Sequence, residues 1–142
     1  MAIKIQVTID VIIHATEDVS KIFDAFKEMF DLKKEEFSIQ NLMGHFDNPI
    51  ILLNAKISKK QASNFVKTLV SKMSSNQIEC ILESIDERLE NSGLYLRLDK
   101  EEFVNGNLAI QEKNSVKLKI YTPIYKKTEV VKTYSNLLKS VN

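Results

Sequence analysis

Residues 3–14 alternate between apolar and polar side chains, and this pattern constrains the fold more than any other feature. The apolar positions are Ile3, Ile5, Val7, Ile9, Val11 and Ile13, and among the polar partners only Ile12 breaks the series. Successive side chains of a β-strand point to opposite faces, so a period of two predicts a strand with one buried side. The same alternation returns over residues 94–98 and 116–120. A sheet built from such strands has one face open to solvent.

Apolar residues at helical spacing predict amphipathic helices between the strands. Thr16 is expected to cap the first helix, because its side chain can accept a hydrogen bond from a backbone N–H of the first turn. Two further helix starts carry the pattern of a capping box, Ser58 with Gln61 and Ser74 with Gln77. A short helical turn at residues 100–104 and a closing helix after the last strand complete the helical segments.

Further strands are predicted at residues 37–43, 50–57 and 108–110, the last in a hairpin with 116–120. The predicted order is β-α-β-β-α-α-β-β-β-α over a single domain, residues 1–142. Mixed strands and helices with several hairpins indicate an α+β fold. We therefore expect a two-layer sandwich, a mostly antiparallel sheet with helices on one face.

Composition excludes several classes of protein. The chain has 142 residues, of which 44% are hydrophobic and 27% charged, the balance of a soluble globular domain. No apolar run approaches the roughly 18–20 residues that span a bilayer, so no membrane association is expected. A single cysteine, Cys80, allows no internal disulfide, which predicts a reducing, cytoplasmic location.

Charge is unevenly distributed along the chain. The formal net charge is +1, yet residues 117–142 hold six lysines and one acid, which leaves −4 for the rest. A basic end on a nearly neutral domain suggests a local anionic partner. Lysines that only keep the surface solvated would give the same pattern.

Residues that could support catalysis are few. His14 with Glu17 and Asp18 resembles a small metal or acid–base cluster, but acidic residues are also favoured at a helix start. Cys80 has no histidine or cation in register to activate it. No glycine-rich phosphate loop is present. We therefore predict no catalytic residue, no metal and no cofactor.

The open face of the predicted sheet offers cations and aromatic rings. From the alternation it carries Lys4, Tyr95, Arg97, Lys117, Lys119 and Tyr121. Lysine and arginine neutralise phosphate and tyrosine can stack on a base, which is the chemistry of an RNA-binding face. A solvated sheet face also favours these residue types, so both interpretations remain open. The last helix and the residues before it give a second candidate basic patch, which consists of Lys126, Lys127, Lys132 and Lys139.

Three motifs in the same order resemble a known family. They are residues 13–18 (IHATED), residues 44–50 (GHFDNPI) and residues 94–100 (LYLRLDK), the last followed by Gly106. Together they are similar to archaeal RNA-binding proteins described as predicted exosome subunits. The family pattern has a second glycine where this chain has Asp47.

The resemblance covers nearly the whole chain. It implies a ribosomal-protein-L5-like fold, RNA binding, and association with the exosome or another RNA-processing complex. Among the motif residues, His14, His45, Tyr95, Arg97 and Lys100 are the functional candidates, because core packing does not require them.

The first hypothesis is a non-catalytic RNA-binding accessory protein. The alternative is a protein-interaction module that docks on a larger complex without contacting RNA. A homo-oligomer through an exposed edge strand is left open.

Overall fold

The computed structural model describes residues 4–43, 48–124 and 126–139. Its strands and helices follow in the order β1 Gln6–His14, α1 Val19–Phe30, β2 Ser38–Met43, β3 Pro49–Ser58, α2 Lys59–Lys72, α3 Ser75–Glu83, β4 Leu89–Glu90, β5 Gly93–Asp99, α4 Lys100–Val104, β6 Ser115–Tyr121 and α5 Val130–Lys139. Short 3-10 helices lie at Lys34–Glu36, Ile85–Arg88 and Lys127–Glu129.

The six strands form one antiparallel sheet in the order β2-β3-β1-β6-β5-β4. Its edge pairs are hairpins, with Ser38 opposite Asn54 in one and Leu89 opposite Leu94 in the other. The β4–β5 hairpin turns through Asn91 and Ser92, which both have positive φ, as a two-residue turn matching strand twist requires. The predicted α+β class with a mostly antiparallel sheet is confirmed.

Burial alternates along the central strands as the sequence predicts. In β1 every second residue from Val7 to Ile13 is buried, whereas Ile12 on the other side is 48% exposed. In β5 and β6 the leucine, valine and isoleucine positions are buried, and the residues between them are half-buried. One face of these strands therefore lies in the core and the other faces solvent.

The chain divides into two compact units, and each unit is assembled from several separate segments of the sequence. The first unit takes in Met1–Val7, Ile57–Leu96 and Lys119–Asn142. Here α2 buries Phe65 and Leu69, and α3 buries Ile81. Tyr134 of α5 is fully buried, and its hydroxyl donates to the carbonyl of Ser92 and accepts from the backbone N–H of Thr122.

The second unit takes in Thr8–Lys56 and Arg97–Leu118. Its core holds an aromatic cluster in which the ring of Phe26 lies 4.6 Å from that of Phe103 and 4.9 Å from that of Phe37. Because Phe26 lies on α1 and Phe103 on α4, the cluster joins these helices. The prediction of a single domain stays a prediction.

Two expected helix caps differ in the structure. Asp18, not Thr16, caps α1, and its carboxylate accepts from the Ser20 backbone N–H at 2.9 Å. Asp and Thr are both good N-cap residues, so moving the start of the helix by two residues changes its stability little. Ser58 precedes α2 without capping it through its side chain, whereas Ser74 and Gln77 form the predicted box at α3.

The predicted strand at residues 108–110 is reduced to a single antiparallel bridge between Leu98 and Ile110. The Asp99 N–H donates to the Ala109 carbonyl at 2.7 Å and the Gln111 N–H to the Arg97 carbonyl at 3.0 Å. The segment thus pairs with β5 and not in a hairpin with β6. Because the segment has only three residues, its alternation could not determine which strand it pairs with.

Candidate nucleic-acid interface

A hollow of about 260 Å³ lies on the solvent-facing side of the strands in the second unit. We call it the His14 hollow, and its lining residues are Asp10, Ile12, His14, Arg97, Lys100, Asn114, Ser115 and Lys117. Period-two alternation aims His14 and Lys117 outward from β1 and β6, since their strand neighbours Ile13 and Leu118 are buried. Four predicted site residues therefore meet in one concave surface.

Lys100 lies beneath this hollow and is not an exposed contact. Its side chain is 4% exposed, and its ammonium donates to the Ile12 carbonyl and to the Glu17 carboxylate at 2.9 Å. A buried ammonium is costly unless it is paired and hydrogen-bonded, and both conditions hold here. We therefore assign Lys100 to the support of the hollow and not to the phosphate contacts that the sequence suggested.

Glu17 is the second half of that support. Its carboxylate also accepts from the backbone N–H of His14 at 2.8 Å. Burial by itself raises the pKa of Glu17, but the hydrogen bonds from His14 and Lys100 and the lysine charge outweigh it, so the pKa lies below its ordinary value. Glu17 therefore stays ionised and fixes the end of β1. These contacts explain why an acidic residue lies close to His14, and the explanation requires no catalytic role for Glu17.

Arg97 is a partly exposed cation at the hollow. Its side chain is 43% exposed, and one guanidinium nitrogen lies 3.4 Å from the Glu112 carboxylate. Such an exposed pair contributes little to stability, typically about 0–1 kcal/mol, because water and salt screen it. An incoming phosphate would therefore compete with Glu112 for the guanidinium at small cost.

Asp10 adds a negative charge to the lining of the hollow. The amide of Asn54 on β3 donates to its carboxylate at 2.6 Å. This hydrogen bond orients the carboxylate toward β3. The hollow therefore carries charges of both signs, and Arg97 and Lys117 supply the positive charge at its surface.

In the first unit, Lys119 and Tyr95 form a pair on neighbouring strands. The Lys119 ammonium lies 5.4 Å from the centre of the Tyr95 ring, within the range of a cation–π interaction. A Cβ added at Gly93 would lie 2.6 Å from Cε of Lys119, so glycine there gives the lysine stem its path. The pair presents a cation and an aromatic ring together on the solvent-facing side.

The remaining predicted site residues are distributed as follows. Lys4 and Tyr121 belong to the first unit and line a groove beside α2. Lys126 is exposed before the last 3-10 helix. His45 lies outside the described residues, as do Asp47 of the turn and the side chain of Lys127. Sequence reasoning did not single out Asn114 and Ser115, which also line the hollow. Asn114 has a φ of 51°, a conformation that asparagine adopts more readily than most residues.

Within the described part of the chain, no group of three His, Cys, Asp or Glu side chains is arranged to hold a metal ion. Cys80 is exposed on α3. Over the same residues, no helix combines the length and the apolar character needed to cross a membrane.

An antiparallel sheet whose solvent-facing side carries cations and tyrosines is an architecture used by nucleic-acid-binding proteins. The model of a protein family described as RNA binding matches residues 6–122 of this chain. The chain belongs to that RNA-binding family.

Two relatives match over almost their whole length. RNA-binding protein PAB1135 of Pyrococcus abyssi is 30% identical over 144 residues, which cover 93% of this chain and 94% of that protein. An uncharacterised protein of Methanocaldococcus jannaschii is 26% identical, covering 93% and 96%. The relatives found are thus archaeal, as the sequence resemblance implies.

Solved structures support the fold. Protein SSO0741 of Sulfolobus solfataricus, a DUF54 protein, has a TM-score of 0.78 at 26% identity, covering 95% of this chain and 98% of that one. Protein AF2318 of Archaeoglobus fulgidus, from the same family, has a TM-score of 0.80 at 24% identity, covering 94% and 99%. The second likeness speaks for the fold alone.

Proposed function

We propose that this protein is a non-catalytic RNA-binding accessory protein that holds RNA phosphates in the His14 hollow. The observation that carries the proposal is the convergence of His14, Arg97 and Lys117 around one concave surface. Arginine and lysine neutralise phosphate, and an imidazole N–H can donate to a phosphate oxygen.

RNA is favoured over other polyanions by the family match and by the relative named an RNA-binding protein. The resemblance noted in the sequence extends the proposal to a cytoplasmic protein that accompanies the exosome or another RNA-processing complex. In that role the protein would present RNA and leave the chemistry to its partner.

Fluorescence anisotropy with a labelled single-stranded oligoribonucleotide, titrated from 50 to 300 mM KCl, tests the proposal. Each phosphate neutralised on a single strand contributes about 0.7 to the log–log salt slope. We expect the double variant R97Q/K117Q to bind more weakly and to lose about 1.4 of the slope, two phosphates' worth. The control K27Q removes an exposed cation of α1 and should change affinity less than about twofold.

Two results would contradict the proposal. If the wild-type protein does not bind the oligoribonucleotide, or if its affinity does not depend on salt, RNA is not the partner. An R97Q/K117Q variant that is folded by circular dichroism and binds like K27Q would remove the His14 hollow as the site.

A second candidate function is docking on a larger complex through protein contacts. It is favoured by β2, which ends the strand order and exposes Ile39, Leu42 and Met43. Edge strands can add a strand from another chain. A purified exosome core retained by tagged protein after nuclease treatment, and lost with Ile39→Lys, would favour docking. Loss of the complex on nuclease treatment alone would favour RNA as the bridge.

A further inference from the structure

The first unit contains a groove of about 720 Å³ beside the start of α2, which the proposed function does not use. Three of its cations, Lys59, Lys60 and Lys67, come from α2, and Lys4 adds a fourth. Lys60 and Lys67 are seven residues apart and so lie on the same face of the helix. The volume falls within the roughly 300–1,000 Å³ of small-molecule sites.

The charge of this lysine groove is of one sign, unlike that of the His14 hollow. No Asp or Glu lines it among the residues that the structure describes. The sequence from Asn48 to Ile78 carries five lysines and no acidic residue. In a concave site, several cations add up to a positive field that attracts anions.

The groove also has an apolar part. Ile5 is buried at its base, and the partly exposed Tyr121 and Pro123 line it. The amides of Gln6 and Asn64 and the hydroxyl of Ser63 add hydrogen-bonding groups. A bare phosphate would have no use for an aromatic ring and a proline, whereas a nucleobase can pack on both.

Lys59 has a strained backbone. Its φ is +57°, in the left-handed region that favours glycine, and its N–H donates to the Ile5 carbonyl at 3.2 Å. Glycine would adopt this conformation at no steric cost. Strain is commonly stored at functional positions, and Lys59 lines the groove.

We propose that the lysine groove is a nucleotide subsite for single-stranded RNA. The ammonium groups of Lys59, Lys60 and Lys67 hold the phosphate, and the base packs against Tyr121 and Pro123. The proposal rests on the proposed function for its choice of RNA, but it depends on different residues, so the two can fail separately.

Titration with 5′-UMP, uridine and inorganic phosphate, followed by amide chemical shifts in the full chain, tests the subsite directly. We expect 5′-UMP to shift the amide signals of residues 58–67, Tyr121 and Thr122, with an affinity at least tenfold above those of uridine and of phosphate. Equal affinity for phosphate and 5′-UMP would overturn the nucleotide subsite, because the base would then contribute nothing. Absence of shifts in these residues would overturn it as well.

Variants connect the subsite to RNA. K60Q/K67Q is expected to weaken oligouridylate binding at 100 mM salt by five- to twentyfold and to lower the salt slope by about 0.7, the contribution of one phosphate. K72Q, on the same helix but outside the groove, is the matched control and should change affinity less than twofold. A K60Q/K67Q variant that binds like K72Q would overturn the proposal.

Lys59→Gly separates binding from stability. It removes the ammonium while permitting the left-handed backbone, so the melting temperature should be unchanged or higher and the affinity for 5′-UMP should fall at least threefold. Unchanged 5′-UMP affinity would exclude Lys59 from the site. Wild-type protein that fails to bind oligouridylate but still binds 5′-UMP at the groove would overturn the proposed function and leave a nucleotide site.

Discussion

The ammonium of Lys100 and the carboxylate of Glu17 lie 2.9 Å apart although the two residues are 83 positions apart in the chain. Glu17 also accepts from the N–H of His14, and Lys100 also donates to the carbonyl of Ile12. The end of β1 is thus linked to the start of α4 through the backbone groups of Ile12 and His14 and the side chains of Glu17 and Lys100. This arrangement fixes the position of His14 at the hollow.

Glu17→Gln is expected to lower the free energy of unfolding at pH 7 by about 1–3 kcal/mol, since it leaves a buried ammonium without its counter-charge. The pKa of Glu17 is lowered in the folded protein from an ordinary value of 4.5. Its contribution to stability is therefore present above about pH 4.5 and is lost as the pH falls through the folded-state pKa. Urea unfolding at pH 7 and at pH 3.5 measures both effects.

Glu35→Gln is the matched control, because Glu35 is exposed in a 3-10 helix. Its unfolding free energy should follow the wild-type value at both pH values. An E17Q variant whose deficit stays constant down to pH 3.5 would show that the carboxylate charge does not stabilise the fold.

The open face could be predicted from sequence because its information is local. Alternation in β1, β5 and β6 assigns each residue to a face without knowledge of the neighbouring strand, so Arg97 and Lys117 could both be assigned to the solvent-facing side. The helix cap was misplaced for the same reason, since Thr16 and Asp18 are both locally acceptable and only the fold chooses between them.

Long-range contacts could not be predicted in this way. Lys100 follows a strand and looks like a surface cation, and only its approach to Glu17 makes it a buried one. The groove beside α2 is a similar case. The lysines of the helix are visible in the sequence, but their proximity to Lys4 and Tyr121 depends on the packing of segments more than 50 residues apart.

Glu112→Gln is expected to raise the affinity for single-stranded RNA by about two- to fivefold at 100 mM salt. Its carboxylate lies 3.4 Å from Arg97 and competes with phosphate for the guanidinium. Anisotropy titrations of the variant and of the wild type measure the change. The gain should disappear in an R97Q background, and an equal gain in that background would mean that Glu112 acts only through the net charge.

Gly93→Ala is expected to disturb Lys119 more than the fold. The new methyl group would lie 2.6 Å from Cε and 3.3 Å from Cγ of Lys119, and the flexible stem can move away from it. We expect a loss of less than about 1 kcal/mol in unfolding free energy together with displacement of the ammonium from the Tyr95 ring. The ring-proton shifts of Tyr95 report the displacement, with Lys119→Gln as the reference spectrum. A variant that keeps the wild-type Tyr95 shifts would contradict it.

Tyr134→Phe is expected to lower the unfolding free energy by about 1–3 kcal/mol. The hydroxyl is buried, and its loss leaves the Ser92 carbonyl without that donor and the Thr122 N–H without that acceptor. Because these two groups belong to the β4–β5 turn and to the residue after β6, hydrogen exchange should accelerate at Thr122.

Tyr95→Phe, on the partly exposed side of β5, serves as the control and should retain wild-type exchange at Thr122. Equal exchange rates at Thr122 in both variants would mean that the Tyr134 hydroxyl does not hold α5 to the sheet.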